Sequence, residues 1–171
     1  MNIILCGFKN SGKTTVGKIL ARDLHYRFDD TDALLEEYYR RENNEVLGAA
    51  DIYTKHGQEI FRQIESDIIL KLEKLDGRVI ALGGGSVLSD ANIKHLHEIG
   101  QIIYLRASKK ILKGRMNQSR VPGFIDKESP DDSFEKVYQA RYQIYEKIAD
   151  RIIDVDGKRP EQIAKEIING E

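Results

Sequence analysis

Asn2-Ile3-Ile4-Leu5-Cys6 is a short apolar run that stops at Gly7, and Gly7-Phe8-Lys9-Asn10-Ser11-Gly12-Lys13-Thr14 follows it directly. The second stretch matches G-x-x-x-x-G-K-S/T without a mismatch. The run before it reads as a buried strand. After it, Lys13 to Leu24 places Val16, Ile19, Leu20 and Leu24 at helical spacing. A glycine-rich loop between a strand and a helix can turn its backbone N–H groups inward onto phosphate oxygens, and the helix N-terminus adds partial positive charge. Lys13 would then reach the β- and γ-phosphates, and the Thr14 hydroxyl would ligate Mg²⁺. The bland alternative is a glycine turn before an ordinary helix. The loop by itself implies a nucleoside triphosphate and leaves the reaction open.

Working outward, further strands are expected at Tyr26–Phe28, Arg78–Leu82, Gln101–Leu105 and Arg151–Val155. Helices are expected at Thr31–Arg41, Gln58–Lys74, Asp90–Glu98, from a Ser108 cap to about Met116, at Ser133–Ala149, and after Pro160. Short apolar strands alternating with helices predict an α/β fold: three layers, α/β/α, around a five-stranded parallel sheet. Ligands of such sheets bind beyond the carboxyl ends of the strands. Gly7 onward, Asp30 to Asp32 and Gly83 to Gly85 occupy those positions.

The 171 residues suit one domain, and 27 basic against 28 acidic residues argue against nucleic acid or a membrane surface as the main partner. One cysteine, Cys6, makes no internal disulfide, and no Cys/His cluster has zinc spacing. Ile3-Ile4-Leu5 is too short for a signal peptide or a membrane span, so a cytoplasmic protein is expected. His25, His56, His95 and His97 share no ligand spacing and read as surface or structural residues. No N-K-x-D segment for guanine is present, which disfavours a GTPase.

Asp30-Thr31-Asp32 stands at the end of the second strand. One carboxylate could hold the water shell of a metal while the other accepts a proton from an attacking hydroxyl. A helix N-cap followed by a first-turn acid explains the same residues. Arg141 falls within the apolar stripe Phe134, Val137, Tyr138, Tyr145, Ile148, and Glu65 within Phe61, Ile64, Ile68, Leu72 with Arg62 at its edge. An internal Arg–Glu bridge would account for them, and so would arginines gripping a substrate carboxylate while Glu65 orients them. Gly83-Gly84-Gly85 permits either a tight turn or close backbone approach by a ligand.

Assembled in this order, these residues resemble the shikimate kinases, small members of the nucleoside monophosphate kinase-like group. The resemblance covers essentially the whole chain: Gly7–Thr14, Asp30-Thr31-Asp32, Gly57 with Phe61-Arg62 and Glu65, Gly83-Gly84-Gly85, a lid arginine, and Arg141 followed by Tyr145. It implies a P-loop kinase fold with a mobile lid over about 117–132 and an acceptor-binding region over about 31–74. It also implies transfer of the γ-phosphoryl of ATP to the 3-hydroxyl of shikimate, with Mg²⁺, in a monomeric enzyme of aromatic amino-acid biosynthesis.

On that resemblance Asp32 activates the hydroxyl, Asp30 lies near the Mg²⁺ shell, and Arg120 reaches the transferring phosphoryl beside Lys13. Arg62, Glu65 and Arg141 serve the carboxylate, with Gly83, Gly84 and Gly85 against the ring. Gly7, Asn10, Ser11, Gly12, Lys13, Thr14 and Thr15 cradle the nucleotide phosphates, while Arg115, Arg159 and Pro160 border the base. Two departures stand out: Asn10 replaces a customary glycine, and the lid reads Arg120-Val121-Pro122-Gly123-Phe124 instead of Arg-Pro-Leu-Leu. A gluconate kinase-like enzyme and a non-catalytic nucleotide-binding paralogue are the alternative readings.

Overall fold

The computed structural model describes residues 1–72, 75–116, 125–126 and 128–170. The strands are β1 (Asn2–Cys6), β2 (Arg27–Asp30), β3 (Arg78–Ala81), β4 (Gly100–Arg106) and β5 (Arg151–Asp154). The helices are α1 (Lys13–Leu24), α2 (Thr31–Asn43), α3 (Ala49–Leu72), α4 (Asp90–Ile99), α5 (Lys109–Met116), α6 (Pro130–Ile148) and α7 (Pro160–Asn169). All pairings are parallel, in the order β2-β3-β1-β4-β5, with Ile4 of β1 level with Ile80 on one side and Ile102 on the other.

The three central strands are largely apolar because the sheet is covered on both faces: Ile4, Leu5, Ile80, Ile102, Ile103 and Leu105 are fully buried, while the edge strands β2 and β5 carry charged residues. From β1 the chain crosses toward β2, and from β3 it crosses back past β1 to β4. Right-handed crossovers running in opposite directions set their helices on opposite faces. The connections diverge at the carboxyl end of β1, which opens a crevice there. Cys6 is a buried core residue at that strand's end.

The expected alternation holds, and the differences lie at element ends. β2 extends to Asp30, paired with Ala81. α6 begins at Pro130, three residues before Ser133, since proline suits a first helical turn. Ser108 caps α5, its hydroxyl accepting the Ile111 N–H at 3.3 Å. A 3₁₀ turn at Ser86–Leu88, absent from the sequence reading, follows the glycine run.

The largest correction concerns α3, which starts at Ala49 instead of Gln58. It is two helical segments abutting at Gly57, whose φ of 81° and ψ of 175° lie outside helical geometry. A side chain at that φ would be strained. Ile52, in the unforeseen half, is fully buried. No helix among the described residues is long and apolar enough to cross a membrane.

Candidate active site

The turn from β1 into α1 wraps tightly. Gly7 has a φ of 141°, and a Cβ there would stand 2.8 Å from the Leu105 carbonyl oxygen and 3.0 Å from Ser11 Oγ. Asn10, at φ 69°, and Gly12, at φ 102°, complete the curl; asparagine is among the few residues that accept this region. Lys13 folds its ammonium over the loop, donating to the carbonyls of Gly7 at 2.9 Å and Phe8 at 3.0 Å. Burial pushes its pKa down, and the Asp32 carboxylate opposes that shift. Ser11 Oγ is buried without a partner among the described residues, as in a loop built to receive an anion's oxygens.

Thr14 at the start of α1 donates its hydroxyl to Asp30 Oδ2 at 2.8 Å, while Asp30 Oδ1 accepts the Asp32 N–H at 3.1 Å and caps α2. The capping explanation is therefore realised at Asp30, and its second oxygen still reaches the loop. Asp32, one residue into α2, turns into the crevice. Burial raises its pKa from 3.8 to about 6, the neighbouring Asp30 adds to the rise, and Lys13 and Lys9 oppose it.

Opposite stand the two arginines. Glu65 of α3, only 3% exposed, pairs with Arg62 one turn away and accepts from Ser86 Oγ at 2.8 Å. Arg141 of α6, 7% exposed, holds its guanidinium carbon 5.8 Å from the Phe8 ring centroid. Burial lowers its pKa. The internal bridge thus exists between Arg62 and Glu65. It leaves Arg62 Nε buried without a partner among the described residues.

The glycine run lies between these groups. A Cβ on Gly83 would come 2.5 Å from Asp32 Oδ1, and one on Gly84 3.3 Å from Arg141 Nη1. On Gly85 it would overlap the Arg62 guanidinium. Glycine is required here less for a ligand's approach than to admit the site's own charged side chains.

Together these residues line a cleft of about 520 Å³. Asn10, Gly12, Lys13, Thr14, Thr15 and Asp30 line one end; Asp32, Arg62, Glu65, Gly84, Gly85 and Arg141 line the other. Arg115 closes over the loop, its Nη1 donating to the Asn10 carbonyl at 2.8 Å, and Pro160 joins the lining there. Gly7, Ser11 and Gly83 stand behind the surface as supports. Arg159 does not line the cleft: it occupies the N-cap of α7, its N–H donating to Gln162 Oε1 at 2.8 Å. Arg120 and most of the expected lid fall outside the described residues.

Sequence reasoning missed Lys9, Ala49, Ala50, Tyr53 and Leu82, all of which line the cleft. Tyr53 packs edge-on against Phe61 with centroids 5.4 Å apart. The available signal was Gly48-Ala49-Ala50-Asp51, a turn glycine followed by strong helix formers and a first-turn acid.

A family model described as shikimate kinase matches residues 9–170. The chain belongs to the shikimate kinase family. A shikimate kinase of Caldanaerobacter subterraneus subsp. tengcongensis is 37% identical over 98% of this chain and 94% of its own. That of Thermodesulfovibrio yellowstonii is 38% identical over 98% and 92%. A solved shikimate kinase from Acinetobacter baumannii, in complex with shikimate, superposes with a TM-score of 0.87 at 26% identity, covering 98% of this chain and 90% of the other. The Aquifex aeolicus shikimate kinase gives 0.82 at 29% identity over 99% and 95%. The protein is therefore an ATP-dependent kinase of the shikimate kinase family with the P-loop kinase fold.

Proposed function

We propose that this protein transfers the γ-phosphoryl group of ATP to the 3-hydroxyl of shikimate, with Mg²⁺ as the accompanying cation. The observation that carries this reading is the placement of Asp32 in one cleft between a phosphate loop and two arginines, the buried Arg141 and the half-buried Arg62. A hydroxyl and a carboxylate face the loop in Thr14 and Asp30, 2.8 Å apart. Such hard oxygens suit Mg²⁺, which keeps several waters and takes its remaining ligands from nucleotide phosphates. Among the described residues no cluster of three acidic, histidine or cysteine groups could hold a metal alone, in keeping with a cation that arrives with the nucleotide. When bound, the cation neutralises charge on the phosphate oxygens.

The chain's own groups divide the remaining work. Backbone N–H groups of the loop and the Lys13 ammonium hold the β- and γ-phosphates and offset charge in the largely dissociative transfer. Asp32, ionised above about pH 6, accepts the proton of the attacking hydroxyl. Arg62 and Arg141 bind the acid's carboxylate, Glu65 holding Arg62 in place, and Gly84 and Gly85 lie against the ring. Family resemblance assigns Arg120, which lies outside the described residues, to the transferring phosphoryl.

The test is ADP formation from Mg·ATP with shikimate, with gluconate and with no acceptor. Shikimate-dependent turnover is expected, with only background hydrolysis in the other two arms. Turnover with gluconate alone would overturn the acceptor assignment and leave the arginines unexplained.

A further inference from the structure

The run Gly83-Gly84-Gly85 has no side chain to fix its own path, and glycine is the residue with the widest choice of backbone angles. Two side chains anchor it from outside. The Gly83 N–H donates to Thr31 Oγ1 at 2.7 Å, and the Tyr145 hydroxyl donates to the Gly84 carbonyl at 2.5 Å. Thr31 precedes Asp32 on α2, and Tyr145 lies one turn after Arg141 on the same face of α6. The anchors therefore tie the glycine run to the two helices that carry Asp32 and Arg141.

Tyr145 is 1% exposed, and its ring packs on the buried Tyr104 ring of β4, with centroids 5.1 Å apart. Held from behind, its hydroxyl has little freedom to follow a moving carbonyl. In a trans peptide the carbonyl and the following N–H point in opposite directions. Fixing the Gly84 carbonyl onto Tyr145 thus fixes the Gly85 N–H pointing away from it. Among the described residues neither the Gly84 nor the Gly85 N–H meets an acceptor, and both residues line the cleft. Both donors are therefore free to meet a ligand or water in the cleft.

We propose that Tyr145 is a positioning residue for the acceptor: its hydroxyl sets the Gly84–Gly85 peptide so that these N–H groups and the Arg141 guanidinium meet the bound acid in register. The inference rests on the acceptor reading above. The ring supplies packing, whereas the hydroxyl supplies direction, so the two are separable in Tyr145→Phe.

The experiment compares wild type and Y145F in steady-state kinetics and, without substrate, in the ¹⁵N resonance of Gly85, which senses hydrogen bonding at the preceding carbonyl. The expected result is a KM for shikimate raised about five- to twentyfold, the scale of a misplaced hydrogen bond. The KM for ATP stays within twofold, kcat falls less than KM rises, and the Gly85 resonance moves. A lowered melting temperature with unchanged shikimate KM would overturn the proposal, as would equal increases in both KM values. Wild-type protein with no shikimate-dependent turnover would sink the acceptor reading instead. The anchor would then stand or fall on the Gly85 resonance: a shift upholds it, and an unmoved resonance overturns it.

Discussion

Gly7 to Thr14 supplies the nucleotide end of the cleft from consecutive residues, and mostly with backbone groups. The acceptor end instead draws Asp32, Arg62, Glu65 and Arg141 from three separate helices and sets them around a glycine turn. At the first end the geometry is local: three positive-φ positions, a helix N-terminus and two lysines, Lys9 and Lys13. At the second, buried charges hold one another in place, so each depends on the whole fold. The loop end depends on its backbone path and few side chains, whereas at the acceptor end a single added methyl group meets the charged side chains themselves.

The one side chain on which the nucleotide end depends is Lys13, and its loss is the largest effect expected. Lys13→Ala should lower kcat by about 10³-fold or more, because its ammonium lies over the loop carbonyls of Gly7 and Phe8, where it offsets charge on the transferring phosphoryl. ADP release with shikimate checks this, with circular dichroism confirming the fold. A loss below tenfold would break the contrast, since the loop backbone would then carry the charge unaided.

Asp32→Asn comes next, with kcat down about 10²–10³-fold and ATP affinity kept, the usual scale for a lost general base. In the unsubstituted protein kcat/KM for shikimate should fall as pH drops through about 6, where Asp32 takes up its proton. Stability runs the other way. The folded pKa lies above the ordinary 3.8, so the folded state binds more protons between these values, and stability declines as pH rises through that window. Asp32→Asn should therefore gain stability at pH 7.5, on the order of 2 kcal/mol by urea titration. A mutant that is inactive and also less stable would make Asp32 structural.

Gly85→Ala probes the packed end directly. The new Cβ meets the far end of a long side chain and not backbone, so Arg62 yields and the fold survives. Displacing Arg62 should raise the KM for shikimate about tenfold and leave that for ATP unchanged. An equal rise in both would mean that the two ends are one cooperative unit.

The same contrast explains what the sequence could reveal. The phosphate loop was readable because its chemistry is contiguous, and the central strands β1, β3 and β4 because burial on both faces makes them largely apolar. Arg141 and Glu65 were readable as charges interrupting apolar stripes, although only packing shows that Glu65 takes Arg62 and Ser86 as partners. Tyr53 had only the helix-start signal at Gly48-Ala49-Ala50-Asp51, which says nothing of the cleft. It lies on the half of α3 before Gly57, where a non-helical glycine breaks the periodicity that links this half to the rest. Arg159 stands outside the cleft lining, as the N-cap of α7, although its sequence neighbour Pro160 joins that lining.

Asn10 gives the smallest effect and the finest test of the contrast. Its φ of 69° is left-handed, which costs an alanine about 1 kcal/mol but an asparagine or glycine little. Arg115 reaches this residue through the backbone carbonyl, so the contact survives any substitution there that preserves the loop. Asn10→Ala should therefore lose about 1 kcal/mol in urea titration, Asn10→Gly should stay within about 0.5 kcal/mol of wild type, and both should hold the KM for ATP within threefold. If Asn10→Gly instead raised that KM tenfold at unchanged stability, the amide side chain would itself be gripping the nucleotide. The loop end would then be, like the acceptor end, a site of side chains.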